Sequence, residues 1–343
     1  HAFIIKSDGT GFRDVSQVNA QNIQIERASS NGLKVFGTFN STDMSSQKHA
    51  FVMNADGSGF TDITPAGATN IWVNGGSSDG SKIWGQFQTS NGTRVFVIKS
   101  DWSGIIDITP VGASNISINN QSPDGSRISG QFQTANGQQH AFVVKADGTG
   151  FTDITPNGLD GVSIRGWSPD GSKAWGTFSS GGQHIFVTKP DWSGVIDLTP
   201  AGVNNINFNG WSPDGSRAWG TFQSPNGDQH AFVVKSDWSG IIDLAPVGAT
   251  NVSWPNNWFA DNTNAWGFFN TQKGPHAFIM NSDWSGIIDV TPEGATNSQI
   301  IGVTQNGEIF GYYTGQRLDL IGCESSDISS IKACDLRIGK VRD

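Results

Sequence analysis

The 343-residue chain is poor in charge, cysteine and tyrosine. Only 15% of its residues are Asp, Glu, Lys or Arg, and it holds two cysteines and two tyrosines. With 21 basic and 30 acidic side chains the formal net charge is −9, and no Lys/Arg cluster exceeds two neighbours. Gripping phosphates needs a basic face, so nucleic acid is excluded as a partner class. No apolar run approaches the roughly 20 residues that span a bilayer, so no transmembrane segment is expected. No leader is visible: the chain opens on His1-Ala2-Phe3, a copy of an internal motif. Any leader is expected to have been removed or left out. There is no nucleophile elbow, HExxH helix or phosphate loop, so no catalytic residue, cofactor or metal site is assigned. The two cysteines, Cys323 and Cys334, lie 11 apart near the C-terminus. They are expected to close a small disulfide loop, with two free thiols as the alternative. A disulfide favours an oxidising compartment, secreted, periplasmic or extracellular.

Glycine and aromatics are abundant: 44 Gly, 13 Trp and 21 Phe. Glycine-rich sequence with few long helix formers points to many short strands and tight turns. Internal repetition decides the architecture. The segment HAFVMNADGSGFTDITP at His49 has relatives starting at His1, Arg94, His140, His184, His230 and His276. Between these lies a second shared segment, best seen in NINFNGWSPDGSRAWGTF, Asn205 to Phe222. Each unit reads as four short strands separated by Gly/Asp turns and a Pro-containing SPDG turn.

Four-stranded units cannot cover both faces alone, and radial stacking covers each face with the next unit. The first HAF hairpin has no partner before it, and the hairpin Asn297 to Tyr313 has none after it. The expected fold is therefore all-β: a seven-bladed β-propeller of four-stranded antiparallel blades over 1–315. Its N- and C-terminal hairpins are expected to close the ring in one blade. Residues 316–343 are expected to form a C-terminal tail, with a short helix near Ser325 to Ala333.

The motif WSPDGS(K/R)AWG, at Trp167 to Gly171 and Trp211 to Gly215, is followed by a strand and a D-G-S-G turn, as in Val52 to Gly59. It resembles the TolB-like, or PD40, propeller repeat. The resemblance covers about 1 to 315 and implies that the WSPDG strand lies innermost. Such propellers include scaffolds, partner-binding domains and a few enzymes, so the resemblance leaves activity open.

Several columns of the repeat invite a role. All six histidines, His1, His49, His140, His184, His230 and His276, share one slot with Arg94. Arg is no metal ligand, and equivalent positions on different blades are too distant to share an ion. A structural bond to the aspartate on the next strand is expected: Asp14, Asp62, Asp107, Asp153, Asp197, Asp243 and Asp289. Trp102, Trp192, Trp238 and Trp284 occupy a turn position that is Gly9, Gly57 or Gly148 elsewhere, where Phe12, Phe60 or Phe151 follows. Volume compensation at the blade edges is one reading, and stacking platforms for sugar rings another. Recurring glycines, such as Gly130 and Gly220, are expected to make room for an aromatic of the next blade. A polar column, Glu26, Asn74, Asn119, Arg165, Asn209 and Pro255, would ring the channel mouth as a binding site or as solvated lining. Trp254 and Trp258, beside a one-residue insertion, form another candidate pocket.

The leading expectation is a secreted, non-catalytic binding propeller for glycans, resembling a lectin. The alternatives are a protein-binding or cell-surface scaffold, and a polysaccharide-active enzyme of lyase type at the channel mouth. The ligand is thus a glycan or a protein.

Overall fold

A computed structural model describes residues 1–315 apart from 18, 30, 43–46, 78–80, 100, 204, 213–214, 216, 236, 254–264, 282 and 305–307. Trp254, Pro255 and Trp258, the tail with its expected short helix, and the expected Cys323–Cys334 bond lie outside the described residues. Among the described residues every regular element is a strand, and no helix is long and apolar enough to cross a membrane.

The strands pair antiparallel in chain order. One sheet is built from Ala20–Ala28, Lys34–Ser41, Lys48–Asn54 and Thr61–Asp62. The same four-strand order recurs over 70–107, 114–153, 160–197, 205–243 and 251–289. The last two of these sheets touch through one parallel bridge, Gln229 with Asn251. Two hairpins remain, Phe3–Ile4 with Arg13–Asp14 and Asn297–Val303 with Ile309–Thr314, each a separate two-stranded sheet. Contacts divide the chain into two units, 1–180 with 186–196 and 181–185 with 197–343.

The third strand of each sheet carries the contiguous apolar run and is buried on both faces. Its phenylalanines, Phe51, Phe96, Phe142, Phe186, Phe232 and Phe278, are all 0% exposed. Each such ring contributes about 1.5–3 kcal/mol by leaving water. Within each unit the core lies in the seams between consecutive sheets. Phe36, Val52 and Ile63 of one sheet pack with Ile71, Ile83 and Phe96 of the next. Trp219, Val233 and Leu244 pack likewise with Val252, Phe269 and Phe278 in the second unit.

The mid-strand glycines are explained differently from expectation. Gly130 lies directly opposite Phe142 on the neighbouring strand of its own sheet. The ring lies over the missing side chain, and the Ser117 carbonyl closes the other side. The aromatic accommodated by this glycine comes from the same blade, not from the next one. The cause is the cross-strand pairing, which sets Gly directly against Phe on the neighbouring strand.

Candidate functional site

Each complete sheet carries a polar clip between its third and fourth strands. His49 Nδ1 lies 2.8 Å from Asp62 Oδ2, and the same pair recurs at His140–Asp153 (2.6 Å), His184–Asp197 (2.8 Å), His230–Asp243 (2.8 Å) and His276–Asp289 (2.7 Å). Arg94 Nε donates to Asp107 Oδ2 at 2.5 Å in the remaining copy. In the N-terminal hairpin His1 Nδ1 meets Ser16 Oγ at 3.0 Å and Asp14 at 3.3 Å. Both partners address the same ring nitrogen, so this trio cannot relay a proton from serine through imidazole to carboxylate.

A further member of the clip escaped the sequence reading. In D-x-T-P, the aspartate's second oxygen accepts the N–H of the residue two positions on. That residue's hydroxyl then accepts the N–H of the residue following His. Thr64 N donates to Asp62 Oδ1 at 2.8 Å, and Ala50 N donates to Thr64 Oγ1 at 2.9 Å. Thr109, Thr155, Thr199 and Thr291 repeat the circuit. One sheet has Ala245 instead, which keeps the bond to Asp243 but offers the fully buried Ala231 no hydroxyl. Ala245→Thr is expected to add about 1 kcal/mol, seen as a rise of roughly 2 °C in Tm. A thermal melt with unchanged or lower Tm would reject the circuit as a stabilising device.

Three of the four turn tryptophans, Trp102, Trp192 and Trp284, fill seams between consecutive sheets, and Trp238 packs on Trp211 of its own sheet. Trp102, Trp192, Trp238 and Trp284 sit at φ of 61° to 64°, the left-handed conformation that the other copies give to Gly. Trp192 and Trp284 are only 8% and 4% exposed. The Arg127 guanidinium lies 4.4 Å from the Trp192 ring centroid, and Arg217 lies 6.0 Å from that of Trp284. Trp102 stacks on Phe36 at 5.3 Å with Lys34 over it at 5.6 Å. In each of these pairs the cation belongs to an earlier sheet's S-(K/R) position and covers a later sheet's indole. Trp192 and Trp284 therefore have no open face for a sugar ring.

Phe60 and Phe151 pack against the inter-sheet clusters as Trp102 does, so volume exchange describes part of the swap. Phe60 and Phe151 stack inside their own sheets, on Phe51 at 4.6 Å and Phe142 at 4.8 Å. In two of the three Gly copies the turn backbone itself meets the preceding strands: a Cβ on Gly148 would lie 2.6 Å from Val97, and one on Gly57 2.6 Å from Val15. The Trp copies also lengthen the last strand, as in Ile105–Asp107 against Thr61–Asp62.

The polar column has a structural origin. Ladder register shifts between Ile25 and Arg27, Val73 and Gly75, Ile118 and Asn120, Ile164 and Gly166, and Phe208 and Gly210. Glu26, Asn74, Asn119, Arg165 and Asn209 are thus the bulged residues of their strands, and all five are exposed. A bulge re-aims one side chain out of the pleat. Glu26 accepts from Thr38 Oγ1 at 2.8 Å and pairs with Lys48 at 3.4 Å, and Arg165 Nε reaches Thr177 Oγ1 at 3.4 Å. Ile301, 61% exposed, fills the same bulge in the last hairpin and was missed as an apolar member. Its position before a strand glycine, like Arg165 before Gly166, was the available signal.

Clefts open at the clip ends of sheets, two of them beside complete sheets. One, about 420 Å³, is lined by Arg94, Asp107, Phe87, Ile105 and the turns Pro65 to Gly67 and Thr89 to Asn91. The other, about 330 Å³, is lined by Asn205, Asn207, Gln223, Gln229 and Asn251 around Thr221, Phe222 and Gly227. Asn205 Nδ2 donates to Gln223 Oε1 at 3.0 Å, and Gln223 Nε2 donates to Gly227 O at 3.2 Å. The exposed side chains of Asn207, Gln229 and Asn251 make no hydrogen bond among the described residues.

Acid–base chemistry finds little support in the turn aspartates. The Ser58 hydroxyl and then its N–H hold Asp56 below the ordinary carboxylate range, and Thr149 does the same for Asp147. At Asp101, Asp191 and Asp237 the serine N–H leads. Burial pushes Asp170 upward, but the Ser168 and Ser172 hydrogen bonds outweigh it and leave it lowered. These carboxylates stay ionised at neutral pH and accept hydrogen bonds only. Among the described residues no three His, Cys, Asp or Glu side chains gather as a metal-holding group.

Repeated four-stranded antiparallel sheets with cores packed between consecutive sheets have the form of β-propeller blades. No family model and no curated protein matches the chain. Solved structures do. A putative TolB from Agrobacterium tumefaciens is 17% identical, with 71% of this chain and 87% of that chain covered and a TM-score of 0.33. TolB from Acinetobacter baumannii is 15% identical over 78% of this chain and 65% of that one, at 0.32. An oligogalacturonate lyase from Vibrio parahaemolyticus is 11% identical over 84% of each chain, at 0.35.

Proposed function

We propose that this chain is a non-catalytic, extracytoplasmic sugar-binding propeller, and that neutral hydroxyl-rich ligands enter the amide cleft beside Asn251. The carrying observation is that Asn207, Gln229 and Asn251 present uncommitted amides around one cleft, over buried Phe222. An amide offers both donor and acceptor, matching vicinal hydroxyls, and Asn205 and Gln223 are held by their own bonds. Recognition moves here from the turn tryptophans, because the rings at Trp192 and Trp284 are spent in the seams. On a neutral-oligosaccharide array the protein is expected to bind, and Asn251→Ala to weaken binding about tenfold, the worth of one or two hydrogen bonds. A blank array, or equal binding by the Asn207→Ala/Asn251→Ala double variant, would reject this reading.

The scaffold for such a site is a seven-bladed ring whose last blade combines the two hairpins. The N-terminal hairpin has third- and fourth-strand sequence, and the C-terminal hairpin has first- and second-strand sequence. Each exposes what complete blades bury: Phe3 is 56% exposed whereas its equivalent Phe51 is 0%. Gly311 lacks the aromatic roof that covers Gly37, Gly85, Gly130, Gly176, Gly220 and Gly267, its nearest atoms being backbone. Phe310, Tyr312 and Tyr313 add to the uncovered surface. Pairing the hairpins would roof Gly311 with Phe3 and cover both aromatic surfaces.

A further inference from the structure

The one clip that carries arginine instead of histidine is also the one that lines the 420 Å³ cleft. A clip histidine has a single nitrogen left after its bond to aspartate, and in His276 that nitrogen is buried without a partner. Arg94 uses only Nε on Asp107, and its side chain is 35% exposed. Among the described residues its two terminal amino groups bond nothing, leaving a planar edge of N–H donors. Asp107 accepts from Arg94 on one oxygen and from Thr109 N at 2.9 Å on the other. It therefore fixes the guanidinium without covering that edge. Across the cleft lies the turn Thr89 to Asn91, and Phe87 forms a buried apolar wall.

We infer that the Arg94 cleft binds a carboxylate, and that the hydroxyl and amide groups of Ser90 and Asn91 beside it favour a sugar acid over a simple carboxylate. An end-on guanidinium edge matches the spacing of two carboxylate oxygens and forms paired charge-assisted hydrogen bonds. A lysine could not reproduce the fork, and the histidines of the other slots offer one donor at most. Because the neighbouring Asp107 already balances the guanidinium, the bound carboxylate feels its repulsion, and the two-point geometry is what makes the site selective. This site is separate from the amide cleft and does not depend on what binds there.

The test follows the Arg94 Nε–H resonance by NMR during titration with D-glucuronate, D-glucose or acetate. Glucuronate is expected to shift it saturably, acetate to shift it more weakly, and glucose to leave it in place. Arg94→His restores the residue that five complete sheets tolerate in this slot, so the fold and the bond to Asp107 are retained. Its affinity for glucuronate, read from ligand line-broadening, should fall about tenfold or more, and Arg94→Lys should fall nearly as far. Asn251→Ala should titrate with glucuronate as the unmodified protein does, which separates this site from the amide cleft. The inference is overturned if glucose shifts Arg94 as glucuronate does, or if acetate or glucuronate is silent. It also falls if Arg94→His binds glucuronate unchanged.

Discussion

Gly130→Ala is expected to destabilise the protein by about 3 kcal/mol or more, the upper end of what overpacking costs. The added methyl would lie 2.7 Å from Phe142 and closer still to the Ser117 carbonyl oxygen. Neither neighbour can give way. Phe142 is fully buried, and the carbonyl belongs to the paired first strand. The control is Gly137→Ala in the turn of the next hairpin. Gly137 has φ of +81° but open space around its would-be Cβ, so only backbone strain of about 1–2 kcal/mol applies. Denaturant titration of both variants decides the matter. Equal costs would mean that backbone conformation, and not the close approach of strand and ring, keeps glycine at position 130. Phe142→Leu combined with Gly130→Ala should recover only part of the loss, since the carbonyl contact remains.

The glycine column was legible because it recurs at one place in every copy, but its partner was not. A repeat reports which positions are equivalent, and it is silent on whether the neighbour comes from the same sheet or the next. The His–Asp clip was easier, since complementary groups recur at a fixed spacing of 13 in every copy. Thr64 and its equivalents were hidden because threonine before proline reads as ordinary strand-end sequence. The turn tryptophans carried a usable signal that went unread. Three copies place Gly where four place Trp, which marks a left-handed backbone position. A side chain launched from such a position is aimed by the turn and not by the strand's alternation. The bulge residues stood out as a polar column, whereas the register slip that exposes them depends on the pairing partner. The two clefts were not visible at all, since each draws on separate strands and turns brought together by sheet packing.

Joining the hairpins is expected to have the largest effect on stability. In the complete sheet, Ala50 sends both its N–H and its C=O toward the fourth strand, to Thr64 Oγ1 and Ile63 N. It therefore faces Thr38 across the ladder as a non-hydrogen-bonded pair. Such pairs bring Cα atoms to about 4.5 Å, inside the disulfide range. Ala2 repeats this arrangement, with Ser16 Oγ and Val15 N as its partners. The position equivalent to Thr38 is Tyr312. Ala2→Cys with Tyr312→Cys should thus form a bridge within one chain. It would close a loop of about 310 residues, worth on the order of 5 kcal/mol and a Tm rise of roughly 10 °C. Peptide mapping under non-reducing conditions would assign the bond between the introduced thiols, apart from Cys323 and Cys334. If those thiols stay free, or bridge two chains, the hairpins do not share a blade. The seven-bladed ring would then have to be abandoned, since Phe3, Phe310 and the bare Gly311 would need some other cover.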